Sequence, residues 1–406
     1  MCNSKKIAGI LLFTSCVLGA QFVKGQDNNN PPVITDDQVR EKITEYKPGD
    51  SHLMIVGLTT MGYVNETNVT KLNDGSPSIT TKNSSIGDAD RFEFSPMFLW
   101  RQNNKVLLEF EPSYTGGSQL GVNWADVSLF LAPGVIVRTG YLVLPFGIYS
   151  KRLAAGWINK LASDPIGMDM PGSDFGIEVE GGFPLGNMKW SYDVAVSNGF
   201  QIDGTGVLSN VGIVSPNQGK TFCGRLGLLP FSNSSLEIGV SALSGSTYAP
   251  TTLNLNNPNV NMYAVDLSYY KKLGGITLTA KAQYNIQKVN AQNYVNPSDS
   301  TKTFTFDNTI KAAFGQIAIR PTGFDNFVKN FELGYRYVTY SSPDGSAWGQ
   351  NLTENDISLN YWLSWRQVIK VAYESVNSTT NDNLPIGVVG STTTTNRFIL
   401  QFSTQF

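Results

Sequence analysis

Three features of the sequence predict an all-β fold: a closed antiparallel transmembrane β-barrel of about 16 strands, with short turns at one end and long loops at the other. They are a charge-poor composition, a last strand ending on an aromatic residue, and a regular alternation of tight and long connections. Hydrophobic residues make up 41% of the chain and charged residues 15%, below the roughly 25% charged of an average soluble domain. No window after residue 25 approaches the ~18 to 20 consecutive apolar residues of a spanning helix. Any crossing therefore falls to strands, whose alternation hides their apolar face from averaging. A net charge of -2 leaves no basic footprint and sets nucleic acid aside as a partner.

At the far end, Phe398, Leu400, Phe402, Thr404 and Phe406 alternate with Arg397, Ile399, Gln401, Ser403 and Gln405. A strand this apolar, exposed to water, would invite aggregation. It resembles the terminal strand that the barrel-assembly machinery recognises in outer-membrane proteins, which makes Phe406 the expected contact and outer-membrane lipid the expected surroundings.

Similar period-two segments recur from 52–64 and 90–101 onward to 396–406, separated by tight linkers such as Gln102-Asn103, Pro133, Gly274-Gly275 and Arg366. Between the tight linkers fall long polar stretches at 65–89, 144–173, 198–218, 247–260, 290–306, 341–354 and 376–395. Short turns are periplasmic and long loops extracellular in such barrels, so His52 and Phe406 are both expected on the periplasmic side.

The N-terminus reads as an export signal. Lys5 and Lys6 precede an apolar stretch, Ile7 to Leu18, too short to span a membrane, and Val23-Lys24-Gly25 ends in a small residue. Residues 1–25 are expected to be a cleaved signal peptide, 26–50 a periplasmic lead in which Thr35 caps a helix running to about Tyr46, and 51–406 the barrel. Lipidation of Cys16 is the competing reading, but Phe13 stands where such sites want a small aliphatic residue. After cleavage Cys223 is alone, so no intramolecular disulfide is expected.

Parity assigns the two faces. Phe92, Phe94, Phe98 and Trp100, like Phe331, Leu333, Tyr335 and Tyr337, share a side that is expected to meet lipid. The opposite parity gathers Arg91, Lys105, Arg138, Lys189, Arg225, Lys281, Arg336, Lys370 and Arg397. With them come Glu93, Glu109, Glu111, Asp126, Glu178, Glu180, Asp193, Glu237, Asp266, Glu332 and Glu374, a mixed and slightly acidic wall. A cationic side chain at the bilayer midplane costs roughly 2 to 4 kcal/mol, and a dry interior would have to pair nearly every charge. The expectation is a wetted lumen. Trp362 and Tyr373 have inconsistent parity and could turn inward.

The run Gly140-Tyr141-Leu142-Val143-Leu144-Pro145-Phe146-Gly147, then Arg152, Asn159, Pro165, Phe175-Gly176-Ile177, Val196-Ser197-Asn198-Gly199 and Gly224-Arg225-Leu226, resembles the family of the phosphate-selective porins O and P. The likeness is to its Bacteroidota-type members especially, and is sharpest between about 134 and 230. It implies a sixteen-stranded, typically trimeric porin of the Gram-negative outer membrane, with an inward-folded loop that narrows the channel. Phosphate selectivity in that family depends on an arginine ladder and a lysine cluster, and the inward residues here hold no such excess.

The stretch 144–173 is the expected constriction. It carries Lys151, Arg152, Lys160, Asp164 and Asp169, which with Arg91, Glu93, Arg138, Arg225, Lys281 and Arg336 on the wall would set a transverse field. Any local anion site is expected at Lys151, Arg152 and Arg138, within a channel that is near neutral or mildly cation-preferring.

Enzymatic readings fail on residue count. Outer-membrane phospholipases and omptin-type proteases need a histidine as general base or water activator, and the only histidine, His52, stands at the start of the first strand. No Gly-x-Ser-x-Gly elbow, zinc signature or phosphate loop occurs, so neither catalysis nor a metal or cofactor is expected. A passive channel for small hydrophilic solutes or ions remains, with a phosphate-selective or other substrate-specific channel and a non-conducting surface barrel as alternatives.

Overall fold

The computed structural model describes residues 51–87, 92–116, 119–156, 158–211, 219–249, 257–296, 299–324, 327–382, 387 and 389–406. The expected signal peptide, the lead with its Thr35 helix, and Arg91 lie outside these residues. Strands β1 (His52–Leu72), β2 (Phe92–Arg101), β3 (Val106–Thr115), β4 (Gln119–Ala132), β5 (Val135–Val143), β6 (Ser173–Leu185), β7 (Met188–Ser197) and β8 (Thr221–Leu229) form half of one sheet. The other half is β9 (Leu236–Ser246), β10 (Asn259–Leu273), β11 (Ile276–Val289), β12 (Thr309–Arg320), β13 (Phe331–Ser341), β14 (Asn351–Ser364), β15 (Gln367–Thr380) and β16 (Ser391–Gln405). Each strand pairs antiparallel with the next, and β16 returns to β1 from Leu58↔Gln405 to Leu72↔Ser391. These 16 strands thus close a barrel with no free edge. A further strand, Ile79–Ile86, folds back on the far half of β1.

At one end the connections are tight, with two residues each at Pro133-Gly134, Gly186-Asn187, Gly274-Gly275 and Trp365-Arg366. Gly134, Gly186 and Gly274 take positive φ of 75°, 60° and 59°, where a side chain would strain the turn. Alternation sorts the faces as expected: Leu333, Tyr335 and Tyr337 on β13 point outward, while Glu332, Arg336 and Val338 of the opposite parity are buried inside. Among the described residues no helix is long and apolar enough to cross a membrane.

The chain terminus closes the seam. Gly57 N–H donates to the Phe406 carbonyl at 3.1 Å and Phe406 N–H to the Gly57 carbonyl at 3.0 Å, while the Phe406 ring stacks on Phe94 at 5.7 Å. That ring crosses Gly57, where a Cβ would lie 2.4 Å from it and 2.8 Å from the Ser95 carbonyl oxygen. Gly57→Val should therefore push Phe406 off the seam at a cost of about 1–3 kcal/mol, as overpacking does. A lower temperature of heat modification on electrophoresis would register it, and an unchanged temperature would refute the role.

Several strands run past their hydrophobic pattern. β1 continues to Leu72, β14 begins at Asn351, β15 continues to Thr380 and β16 begins at Ser391, inside stretches expected to be loops. Beyond the apolar band both faces of a ribbon meet water, so the hydrophobic alternation ends while β-branched pairing goes on. Thr70 lies opposite Thr393, their hydroxyls 3.0 Å apart. Trp362 faces inward and is buried, whereas Tyr373 faces outward at 48% exposure. Lys105 and Lys189, expected in the lumen, are exposed at the tight-turn end, where Lys189 donates to Ser234 Oγ at 2.7 Å.

Candidate channel constriction

The connection 144–172 between β5 and β6 folds into the barrel, and its contacts run along the inner wall from β6 round to β16 and β1. Gly147, at φ 62°, approaches so closely that a Cβ would lie 2.2 Å from Gln283 Nε2. That closeness lets Gln283 Oε1 accept from Ile148 N–H at 2.7 Å and Tyr149 N–H at 3.0 Å. These amides open the one-turn helix α1 (Tyr149–Arg152) and have no partner within it. Ile148, Tyr149, Leu153 and Met168 then pack on Ala312, Phe314 and Val338 of β12 and β13. On the far side Gly156 comes against Ser403 and Thr60 of β16 and β1.

The cations of this loop are all engaged. Buried Lys151 reaches Glu178, Glu180 at 3.2 Å and Asp193 at 3.8 Å. Burial works against its charge, but Asp193, Glu178 and Glu180 outweigh that penalty and hold the ammonium above its ordinary range. Arg152 pairs with Glu237 at 2.6 Å, and Lys160 with Glu332 at 3.2 Å while lying 4.5 Å over the Trp362 ring.

The wall cations are tied up in the same way. Arg138 meets Glu109 at 2.8 Å and Asp126 at 2.6 Å, and lies 4.7 Å over Trp124, an inward residue on β4. Arg225 grips Asp266 through two nitrogens at 2.9 and 2.6 Å and shares Glu237 at 2.9 Å. Arg336 binds Glu354 at 2.7 Å and Asp356 at 2.6 Å, and Lys281 donates to Ser268. One expectation is corrected here: Lys151, Arg152 and Arg138 hold carboxylates instead of forming an anion site, and Arg225 and Arg336 on the wall are paired as well. The reason is cross-strand register, which aligns Arg336↔Asp356, Asp356↔Glu374, Glu374↔Arg397 and Arg397↔Glu66 in one transverse row.

Sequence reasoning missed Glu66, Glu354 and Asp356. The last two share parity with buried Ser358 and Asn360, and that alternation was the available signal. Two carboxylate triads, Glu178-Glu180-Asp193 and Glu354-Asp356-Glu374, are compact enough to hold an ion. Lys151 sits in the first and Arg336 in the second, supplying the positive charge themselves.

What the loop leaves exposed is acidic. Asp164 and Asp169 are exposed, whereas Lys151 is buried and Arg152 and Lys160 are half-buried. Asp164 accepts from the Tyr149 hydroxyl and from Asn159 Nδ2 at 3.3 Å. Asn123 Nδ2 of β4 lies 3.5 Å from Glu93 and 3.1 Å from Glu111 of β3, and Ser95 Oγ donates to Glu93 at 2.6 Å. Among the described residues neither glutamate forms an ion pair.

The structure thus places Glu93 on the β2 to β4 wall and Asp164 on the inward loop, and holds Arg225, Lys281 and Arg336 apart on other strands. At the long-loop end, Phe200, Ile202, Tyr294, Phe304 and Phe306 pack with Leu144, Phe146, Leu243 and Met262 into an apolar cluster. A cavity of about 280 Å³ beside it is lined by Phe146, Asp169, Met170, Gln287, Tyr340 and Trp348 among others. Apolar packing fills the β7 to β12 side, and the acidic polar wall is on the β2 to β4 side.

Solved outer-membrane barrels share this architecture. The outer membrane channel DcaP of Acinetobacter baumannii matches with a TM-score of 0.52 and 12% identity over 88% of this chain and 97% of that one. An anion-selective porin from Comamonas acidovorans matches with a TM-score of 0.50 and 12% identity over 88% and 100%. Salmonella typhi OmpF in complex with daunomycin matches with a TM-score of 0.50 and 12% identity over 87% and 97%. At such identity the likeness is one of fold. No family model and no curated protein matches the chain.

Proposed function

We propose that this chain is a porin of the Gram-negative outer membrane, a passive water-filled channel for small hydrophilic solutes and ions that favours cations. The observation that carries the reading is the sector between the inward loop and β2 to β4. There Asp164 is exposed on the loop and Glu93 and Glu111 share Asn123 on the wall, while Lys151, Arg152 and Lys160 are each held by carboxylates. Fixed carboxylates along a passage with low-dielectric walls raise the local concentration of cations. The apolar outward face supports a lipid environment, since water would drive such a surface to aggregate.

Export by residues 1–25, long loops facing outward, docking of Phe406 on the assembly machinery and a homotrimer complete the proposal. The trimer rests on the family resemblance alone. Phosphate selectivity is not part of the reading, because the cations it needs are committed to the wall. The anion preference named for the Comamonas porin remains that protein's own.

Purified protein in a planar bilayer should conduct in discrete steps, with a reversal potential in a potassium chloride gradient of the sign for potassium preference. Phosphate should leave the chloride current unblocked. A folded barrel that does not conduct would establish the surface-barrel alternative, and an anion-signed potential with phosphate block would establish the anion-selective one.

A further inference from the structure

Five consecutive carbonyls at the inner end of the loop are each taken by a wall side chain. Lys370 Nζ donates to Asn159 O at 2.8 Å and Leu161 O at 2.7 Å. Asn360 Nδ2 donates to Lys160 O at 2.9 Å, Gln401 Nε2 to Ala162 O at 3.2 Å, and Arg336 to Ser163 O at 2.7 Å. These donors stand on β13, β14, β15 and β16, and Asn360↔Lys370↔Gln401 is a single row across three of them. Gly334 on β13 leaves room for the approach, since a Cβ there would lie 3.2 Å from Lys160 O.

Lys370 is the centre of this cradle and is unlike the other wall cations. It is 1% exposed, and among the described residues it forms no ion pair; two loop carbonyls stand in for its water. A buried ammonium and buried carbonyls penalise separation from both sides, because each would be left without a partner. We propose that Lys370 is a positioning residue that latches the loop to the β13 to β16 wall, and so fixes both the width of the passage and the place of Asp164 in it. The inference rests on the reading that the chain conducts.

Lys370→Met keeps the volume and removes the donors. The loop end should then leave the β13 to β16 wall and enter the passage, so single-channel conductance should fall by at least about twofold, with added open-channel noise and a weaker potassium preference. A staple separates latching from a general effect on folding. A Cβ on Gly156 would lie 3.3 Å from Ser403 Cβ, close to the ~3.5–4.5 Å of a disulfide. Gly156→Cys with Ser403→Cys in the Lys370→Met background should therefore restore conductance and selectivity when oxidised and lose both on reduction.

If Lys370→Met fails to assemble, Asn360→Ala with Gln401→Ala, which frees the carbonyls of Lys160 and Ala162, carries the same expectation. Native conductance, noise and selectivity in the folded variant would overturn the latch, as would a formed staple that restores nothing. Absence of conductance from the unmodified protein would instead overturn the channel reading.

Discussion

Replacing Asp164 by Lys, with Glu93→Gln and Glu111→Gln, should convert potassium preference into chloride preference. Two unit charges about 8 Å apart at an effective dielectric of about 20 interact by about 2 kcal/mol. The swing from an acidic sector to one ammonium is therefore large on the scale of permeability ratios. At a Debye length of about 10 Å in 0.1 M salt the effect survives, and at 1 M, where that length is about 3 Å, it should shrink. Reversal potentials at both concentrations test the sign and the screening together. Asp164→Asn alone should lower the potassium-to-chloride ratio a few-fold without changing its sign. A ratio that none of these variants moves would place the selecting charges elsewhere and refute the acidic sector.

The barrel was legible because its rule is local. Lipid on one side and polar groups on the other force a period of two, and Leu333, Tyr335 and Tyr337 against Glu332, Arg336 and Val338 show that rule in three dimensions. The inward loop was legible only as a long connection rich in turn residues. Its seating on Gln283, Lys370 and Gln401 depends on strands far from it in sequence, and no local pattern encodes that meeting. Charge pairing was misread for the same reason. Parity lists which charges face inward, but only register says that Arg336 stands opposite Asp356 and Glu374 opposite Arg397. The polar ends of β1, β15 and β16 were read as loops because threonine and asparagine ribbons carry no hydrophobic signal, although their backbone pairing continues.

Lys151→Met should release the outer half of the loop from the wall, a result opposite to what an anion-binding lysine would give. The substitution leaves Glu178, Glu180 and Asp193 facing one another in a buried site, with Arg138 3.9 Å from Glu180. Removing one partner of a buried ion pair typically costs about 3–5 kcal/mol. The barrel ladder is independent of this contact, so the loss should appear first as detachment of α1 and the segment after it. Limited trypsin digestion should then cut at Arg152 or Lys160 in the variant and spare both in the parent, together with a lower temperature of heat modification. Adding Glu178→Gln and Asp193→Asn should recover much of the loss, because it removes the uncompensated charge, and the non-additivity measures the coupling. If Lys151 were instead a free anion site, Lys151→Met would weaken anion conductance and leave protease resistance intact. That outcome would overturn the paired arrangement and restore the anion-selective reading.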